Sequence, residues 1–339
     1  AARWGVRFLR RQYELLAGLA AVEDSVLIAN PGVLAAMPVH ETQGTPLISL
    51  ILQPWLIPSA VSPPVMPGMG WLQRAPAVLW RMVWGSIDLG AGLLVGGELN
   101  RLRKSLELKP VRRLSQNWLS TQLVLGLFPE WFGPLRTDWP PRIQLTGFPR
   151  PAAGAGEELP PALLDFCRAG AAPVVFTFGT GMAQPGRQFR AALDACRLGG
   201  LRGIFLTKYP EQLPAPLPTS VLHLDFAPFR LLFPHCAAVV HHGGIGTATA
   251  AMAAGVPQLV CPVCFDQEDN GHRLRVLGVG DWLPARRQNG KTLSETLQTL
   301  MSPAVKTRCQ EVARMLAADP DGLALAADAV ERHAAAPRE

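Results

Sequence analysis

The chain has 339 residues, 48% hydrophobic and 17% charged, which is too much material for one core and enough for two. Its net charge of +6 comes as short groups such as Arg101-Leu-Arg103-Lys104 and Arg286-Arg287 without interleaved aromatics, which argues against a nucleic-acid partner and leaves anionic substrates or membrane surfaces. The 32 glycines and 32 prolines follow no period, so a turn-rich globular chain is expected rather than a repeat or low-complexity tract.

The chain opens on a helix, Val6 to Leu16, and not on a strand, so the leading strands of a first domain are expected upstream of Ala1. Ser25 to Ala29 reads as a short strand ending at Asn30-Pro31-Gly32, Val33 to Glu41 as a helix and Pro46 to Leu52 as a second strand. This is the strand, helix, strand unit of a parallel sheet. A sheet lacking its first strands should expose apolar surface around Val26 to Ile28 and Leu47 to Leu50.

Residues 53–120 are broken by prolines, rich in Trp and Met, and helical from Leu99 to Leu108. Such a region can line an apolar pocket or fill a core. Leu47 to Gly70 is interrupted by prolines and Ala77 to Leu99 carries Arg81 and Asp88, so neither is expected to span a membrane. Two further strands, Leu123 to Leu127 and Ile143 to Leu145, precede the small-residue connector Arg150 to Glu157. The expected domains are therefore 1–149 and 150–315, with the terminal helix from 316 packing back across the cleft.

From Pro173 the alternation is regular. Strands are read at Val174 to Phe178, Gly203 to Leu206, Val221 to Leu224, Ala237 to Val240 and Gln258 to Cys261. Helices are read at Phe189 to Arg197, Phe229 to Phe233, Thr247 to Ala254 and Glu268 to Leu277, then Pro303 to Leu316 and Leu323 to His333. The fold class is α/β, with two doubly wound, Rossmann-like parallel-sheet domains, the first incomplete.

The most informative segment runs from Ala237 to Pro257. A buried strand enters His241-His242, a glycine turn and then a helix of Ala and Thr. Gly243, Gly244 and Gly246 allow the turn without side chains, and the first-turn amides around Ile245 and Thr247 present the positive end of a helix, so a phosphate is expected there. Adjacent residues of an extended segment point oppositely. We place His241 on the phosphate and leave His242 as an equally structural residue. The turn after the first strand of this domain, Phe178-Gly179-Thr180-Gly181, adds Thr180 as a phosphate ligand. Phe226-Ala227 closes another strand at the same edge and suits the nucleotide base, while the neighbouring carboxylate and amide Asp266-Gln267 suit sugar hydroxyls.

These residues resemble the donor-binding signature of the two-domain, B-type glycosyltransferases, families 1 and 28, which include macrolide, glycopeptide-antibiotic and sterol enzymes. The shared elements are Phe226-Ala227-Pro228, His241-His-Gly-Gly-Ile-Gly-Thr247, Gly255-Val-Pro257 and Asp266-Gln267-Glu-Asp-Asn270. Leu127-Phe-Pro-Glu-Trp-Phe132, Asp138-Trp-Pro140 and Thr146-Gly-Phe-Pro149 are most similar to rhamnosyltransferases of rhamnolipid synthesis, which implies a bacterial enzyme with an apolar acceptor. The resemblance implies inverting transfer of a hexose or deoxyhexose from a UDP- or dTDP-sugar to a hydroxyl of a lipid, sterol or secondary metabolite. It implies no metal and no cofactor beyond that co-substrate.

Two departures from the family matter. Many uridine-donor members of the family carry a ribose-binding glutamate five positions before the Gly-Val-Pro glycine, where this chain has Ala250 beside Thr249; a deoxyribose, hence dTDP, fits better, although some relatives without the glutamate accept uridine donors. The family's general base lies in a loop that would precede Ala1, and the aspartate that orients it is replaced by Asn30, so the catalytic residue is unknown and this piece alone is expected to lack it. His40 lies in a helix and Cys261-Pro-Val-Cys264 has no second pair at zinc spacing, so both read as ordinary structural residues. A catalytically degenerate sugar-nucleotide-binding protein and a nucleotide-sugar epimerase remain alternatives. Six cysteines in apolar segments and no secretory signal point to the cytoplasm, with room for attachment at the inner membrane.

Overall fold

Strands covered on both faces must be apolar at every position, and the run Val174–Thr177 is buried throughout. The computed structural model describes residues 8–120, 122–150, 157–179 and 186–335. The chain separates into two units, one of Ala1–Pro64, Trp71–Arg150 and Pro320–Glu339, the other of Val65–Gly70 and Pro151–Asp319.

The first unit contains α1 (Leu9–Ala20), β1 (Leu27–Ala29), α2 (Ala36–Gln43), β2 (Leu47–Ile51), α3 (Ala77–Ala91), α4 (Gly97–Ser105), β3 (Leu123–Gly126) and β4 (Ile143–Leu145). Its sheet is parallel in the order β1-β2-β3-β4. Because β2 lies between two partners, Leu47 and Ile48 are buried, contrary to the exposure expected from the sequence. Ile28 on β1 is half exposed. The apolar middle region is also more helical than expected. A π-helical turn, Gly92–Gly96, joins α3 to α4, so that helix runs from Ala77 to Ser105.

The second unit contains α5 (Pro161–Arg168), β5 (Val174–Thr177), α6 (Gly186–Gly199), β6 (Gly203–Leu206), β7 (Val221–Leu224), β8 (Ala238–His241), α7 (Ile245–Ala253), β9 (Gln258–Val260), α8 (Gln267–Leu277), β10 (Gly280–Trp282), α9 (Gly290–Leu300) and α10 (Pro303–Ala318). All its strands are parallel, in the order β10-β9-β8-β5-β6-β7. Strand order therefore reverses between β5 and β8, and ligands of such sheets bind outside the carboxyl ends at that switch point. Strand β10 escaped the sequence reading because Gly280-Asp281-Trp282 has no apolar run.

One face of this sheet packs Phe176, Phe189 and Phe205 with Leu293 and Leu297 of α9. The other packs Val175, Ile204 and Val239 with Leu163 of α5 and Ala251 of α7. The chain then returns to the first unit with α11 (Gly322–Ala334), whose Ala326 and Ala329 pack with Ile48, Leu125 and Leu127.

Candidate donor-binding site

The site forms where five strand ends meet. Gly179 follows β5, Lys208 and Tyr209 follow β6, Asp225 and Phe226 follow β7, His242 follows β8, and Phe265 and Gln267 lie beyond β9; all line a cavity of about 540 Å³. Thr247, in the first turn of α7, lines it too. The leading N–H groups of any helix lack internal partners and carry positive potential.

The glycine turn shows why side chains are excluded. Gly243 has φ +98°, and a Cβ there would stand 2.6 Å from Val260 Cγ1 and 3.0 Å from the Gln267 carbonyl oxygen. The His242 ring is clamped between two other glycines, since a Cβ on Gly244 would lie 2.6 Å from its Nε2 and one on Gly179, at φ +79°, 3.0 Å from its Cε1. Gly246 is different. A Cβ would meet nothing within 4 Å, so its value lies in the open approach to the helix terminus and not in the turn.

The structure corrects the choice of histidine. His241 is fully buried. Its Nδ1 accepts from the Gly243 N–H at 3.1 Å, which leaves the proton on Nε2 to donate to Gln258 Oε1 at 3.1 Å. Gln258 Nε2 in turn donates to the Ala248 carbonyl at 3.1 Å. Burial, reinforced by His242, pushes the His241 pKa down to about 3. It is a neutral strut that ties β8 to β9 and α7, not a phosphate ligand. His242 faces the cavity instead, its pKa also lowered by burial. Its buried Nδ1 has no hydrogen-bond partner among the described residues, an unmet group suited to an incoming oxygen.

Other expected residues divide likewise. Phe226 and Ala227 line the cavity, and Phe226 is 70% exposed. Thr249 and Ala250 do not line it. Thr249 Oγ1 donates back to the Ile245 carbonyl at 2.9 Å, and Ala250 packs against the β5–β6 core. Thr180 lies outside the described residues.

Gln267 reaches the cavity while its Oε1 accepts from the Val263 and Cys264 N–H groups at 2.7 and 3.1 Å. Asp266 is not among the lining residues. Its carboxylate accepts from Asn270 Nδ2 at 2.7 Å, and burial raises its pKa. The same Asn270 Nδ2 donates to the Gly243 carbonyl at 2.9 Å, joining the Asp266-Gln267 loop to the glycine turn. Asp269 accepts from the Val65 N–H at 2.8 Å and from Arg273 at 2.7 Å.

Lys208, Tyr209, Asp225 and Phe265 were missed from the sequence because each comes from a separate strand end with no repeated spacing. For Phe265 the sequence carries one signal, its place just after the β9 end where loops converge; the structure adds a φ of +57°, unusual for an aromatic residue. Away from this site, Asn30 Oδ1 accepts from the Gly32 N–H at 3.0 Å, a local turn. His40 Nδ1 donates to the Thr45 carbonyl at 2.7 Å.

Residues 204–331 match the family model of the erythromycin biosynthesis protein CIII-like C-terminal domain. The chain is similar to sterol 3-beta-glucosyltransferase UGT80B1 of Arabidopsis thaliana, 28% identical over 91% of this chain and 50% of that protein. It is also similar to vancomycin aglycone glucosyltransferase of Amycolatopsis orientalis, 29% identical over 92% of this chain and 77% of that protein. Among solved structures, the glycotransferase of kitacinnamycin superposes with a TM-score of 0.72 at 19% identity, over 96% of this chain and 81% of that one. The chain spans about half the length of the two Arabidopsis thaliana sterol glucosyltransferases it matches. Sequence similarity to glycosyltransferases, the parallel-sheet architecture and the switch-point glycine turn agree, and the fold is that of the B-type glycosyltransferase structures.

Proposed function

We propose that this chain supplies the donor site of an enzyme that transfers a hexosyl or deoxyhexosyl group, with inversion, from a nucleoside diphosphate to a hydroxyl of an apolar lipid, sterol or secondary metabolite. The observation that carries this reading is the unpartnered, buried His242 Nδ1 beside the open first turn of α7 at the switch point. The leaving diphosphate takes its stabilisation from the α7 N-terminus, His242 and the Lys208 ammonium, so no metal is required. Phe226 or Phe265 stacks the base, and Gln267 Nε2 faces the sugar. The names of the antibiotic and sterol relatives favour an acceptor with a large apolar body.

Calorimetric titration with UDP and dTDP tests this. His242→Ala should weaken both by about tenfold, the value of one charge-assisted hydrogen bond, since the phosphates are common to them. An unchanged affinity would remove His242 from the site. Comparing the two diphosphates locates ribose recognition: tighter binding of UDP than of dTDP would assign it to Asp225, the carboxylate that lines the cavity.

A further inference from the structure

The helical stretch Ala77–Ser105, 29 residues long, is long and apolar enough by length and composition to cross a membrane. Its inner side is already occupied. Trp80 and Trp84 are buried, their indole N–H groups donating to the Leu72 and Ser59 carbonyls at 3.0 Å each, and buried Asp88 accepts from the Ser115 N–H and Oγ–H at 2.8 and 2.7 Å. A helix bound to its own unit along one side lies on a surface; it does not span one.

Its outer side is apolar and open. Val78, Met82, Leu89 and Leu93 recur at helical spacing and are 62%, 65%, 69% and 82% exposed. Between Arg81 and Glu98 the only charged residue is the buried Asp88.

Beside this ridge, Arg81, Trp84 and Asp88 of the same helix line a cavity of about 750 Å³ with Arg113, Trp139 and Arg142. Both of its carboxylates are satisfied internally, Asp88 by Ser115, and Asp138 by Ser59 Oγ at 2.9 Å and the Ala60 N–H at 2.7 Å. Arg81 and Arg142 pair with no carboxylate among the described residues. The cavity therefore sets three arginines against two aspartates, with Arg81 and Arg142 outside any ion pair among the described residues, directly alongside exposed apolar surface.

We propose that this face of the first unit docks on an anionic lipid bilayer, with Met82, Leu89 and Leu93 entering the acyl boundary and lipid headgroups neutralising Arg81 and Arg142. Apolar insertion combined with cationic contacts is what an anionic interface rewards. A symmetric pairing of two copies through this face would bring like-charged cavities together. The proposal does not depend on the transfer reaction.

Flotation of the 339-residue chain with vesicles tests it. Binding is expected with phosphatidylglycerol mixed into phosphatidylcholine, and is expected to weaken as salt is raised. The Arg81→Gln/Arg142→Gln double variant should lower that affinity by at least about tenfold. Leu89→Glu/Leu93→Glu should abolish it while melting temperature and diphosphate affinity stay at wild-type values. Failure of the wild type to float, retained flotation of the glutamate variant, or light scattering that shows a dimer without vesicle binding would each overturn the proposal.

Discussion

The carboxyl edge of the second sheet and the outer face of α3 use residues in opposite ways. At the sheet edge the strands are buried and polar side chains are spent on one another and on the backbone, as with His241, Gln258 and Asn270 Nδ2, while His242 Nδ1 is left unmet beside the cavity. On α3 Asp88 turns inward with Trp80 and Trp84, and Val78, Met82 and Leu89 are exposed. The first arrangement tolerates little change where its turn and strut residues are packed, as at Gly243 and His241; the second tolerates most changes that preserve a helix, because its outer side chains are exposed.

The largest expected effect therefore falls on the sheet edge. Gly243→Ala forces a Cβ into Val260 and the Gln267 carbonyl at a left-handed φ, at a cost of about 4 kcal/mol from backbone strain and overpacking together. Gly246→Ala, three residues on, enters open space in a helix and should gain about 0.5–1 kcal/mol. Urea unfolding of both variants decides the contrast, and equal destabilisation would show that the turn is not specified as described.

Next comes acid sensitivity. His241 takes up a proton at an ordinary 6.5 when unfolded but only near 3 when folded. Between those values the unfolded chain binds more protons, so the stability present above the upper value is lost as pH falls, by about 1.4 kcal/mol per pH unit. His241→Gln should flatten this slope and His242→Gln should largely keep it. Unfolding curves across the window would contradict the buried-strut assignment if the two variants behaved alike.

The smallest effect is expected on α3. Leu89→Glu alone should change stability by no more than about 0.5 kcal/mol, as at surface positions generally. A large loss by thermal melting would mean that this face is covered by protein, and would collapse the contrast between the two regions.

How much of this was legible in the sequence follows the same division. The alternation from Pro173 onward, the glycine turn and its place at a parallel-sheet edge could all be read, because strand, turn and helix are contiguous there. Period two says only that His241 and His242 point oppositely; which one meets the ligand depends on β5 and β9, which flank β8 and bury His241. Thr249 and Ala250 were misplaced because a position counted from Gly255 fixes a helical residue's distance but not its face. On α3, Arg81 and Asp88 were read as interrupting an apolar helix. Asp88 instead turns inward to Ser115, and Arg81 sits at the flank.

The two hydrogen bonds donated by Asn270 Nδ2 bear on how a nucleotide would bind. That one amide holds the Gly243 carbonyl and the Asp266 carboxylate at once, so the glycine turn and the Asp266-Gln267 loop are fixed to each other before any ligand arrives. Conformational entropy that a looser pair of loops would surrender on binding has already been given up in folding. A donor bound as proposed would therefore meet a single prearranged frame, and affinity gained at one end would not be lost to ordering at the other.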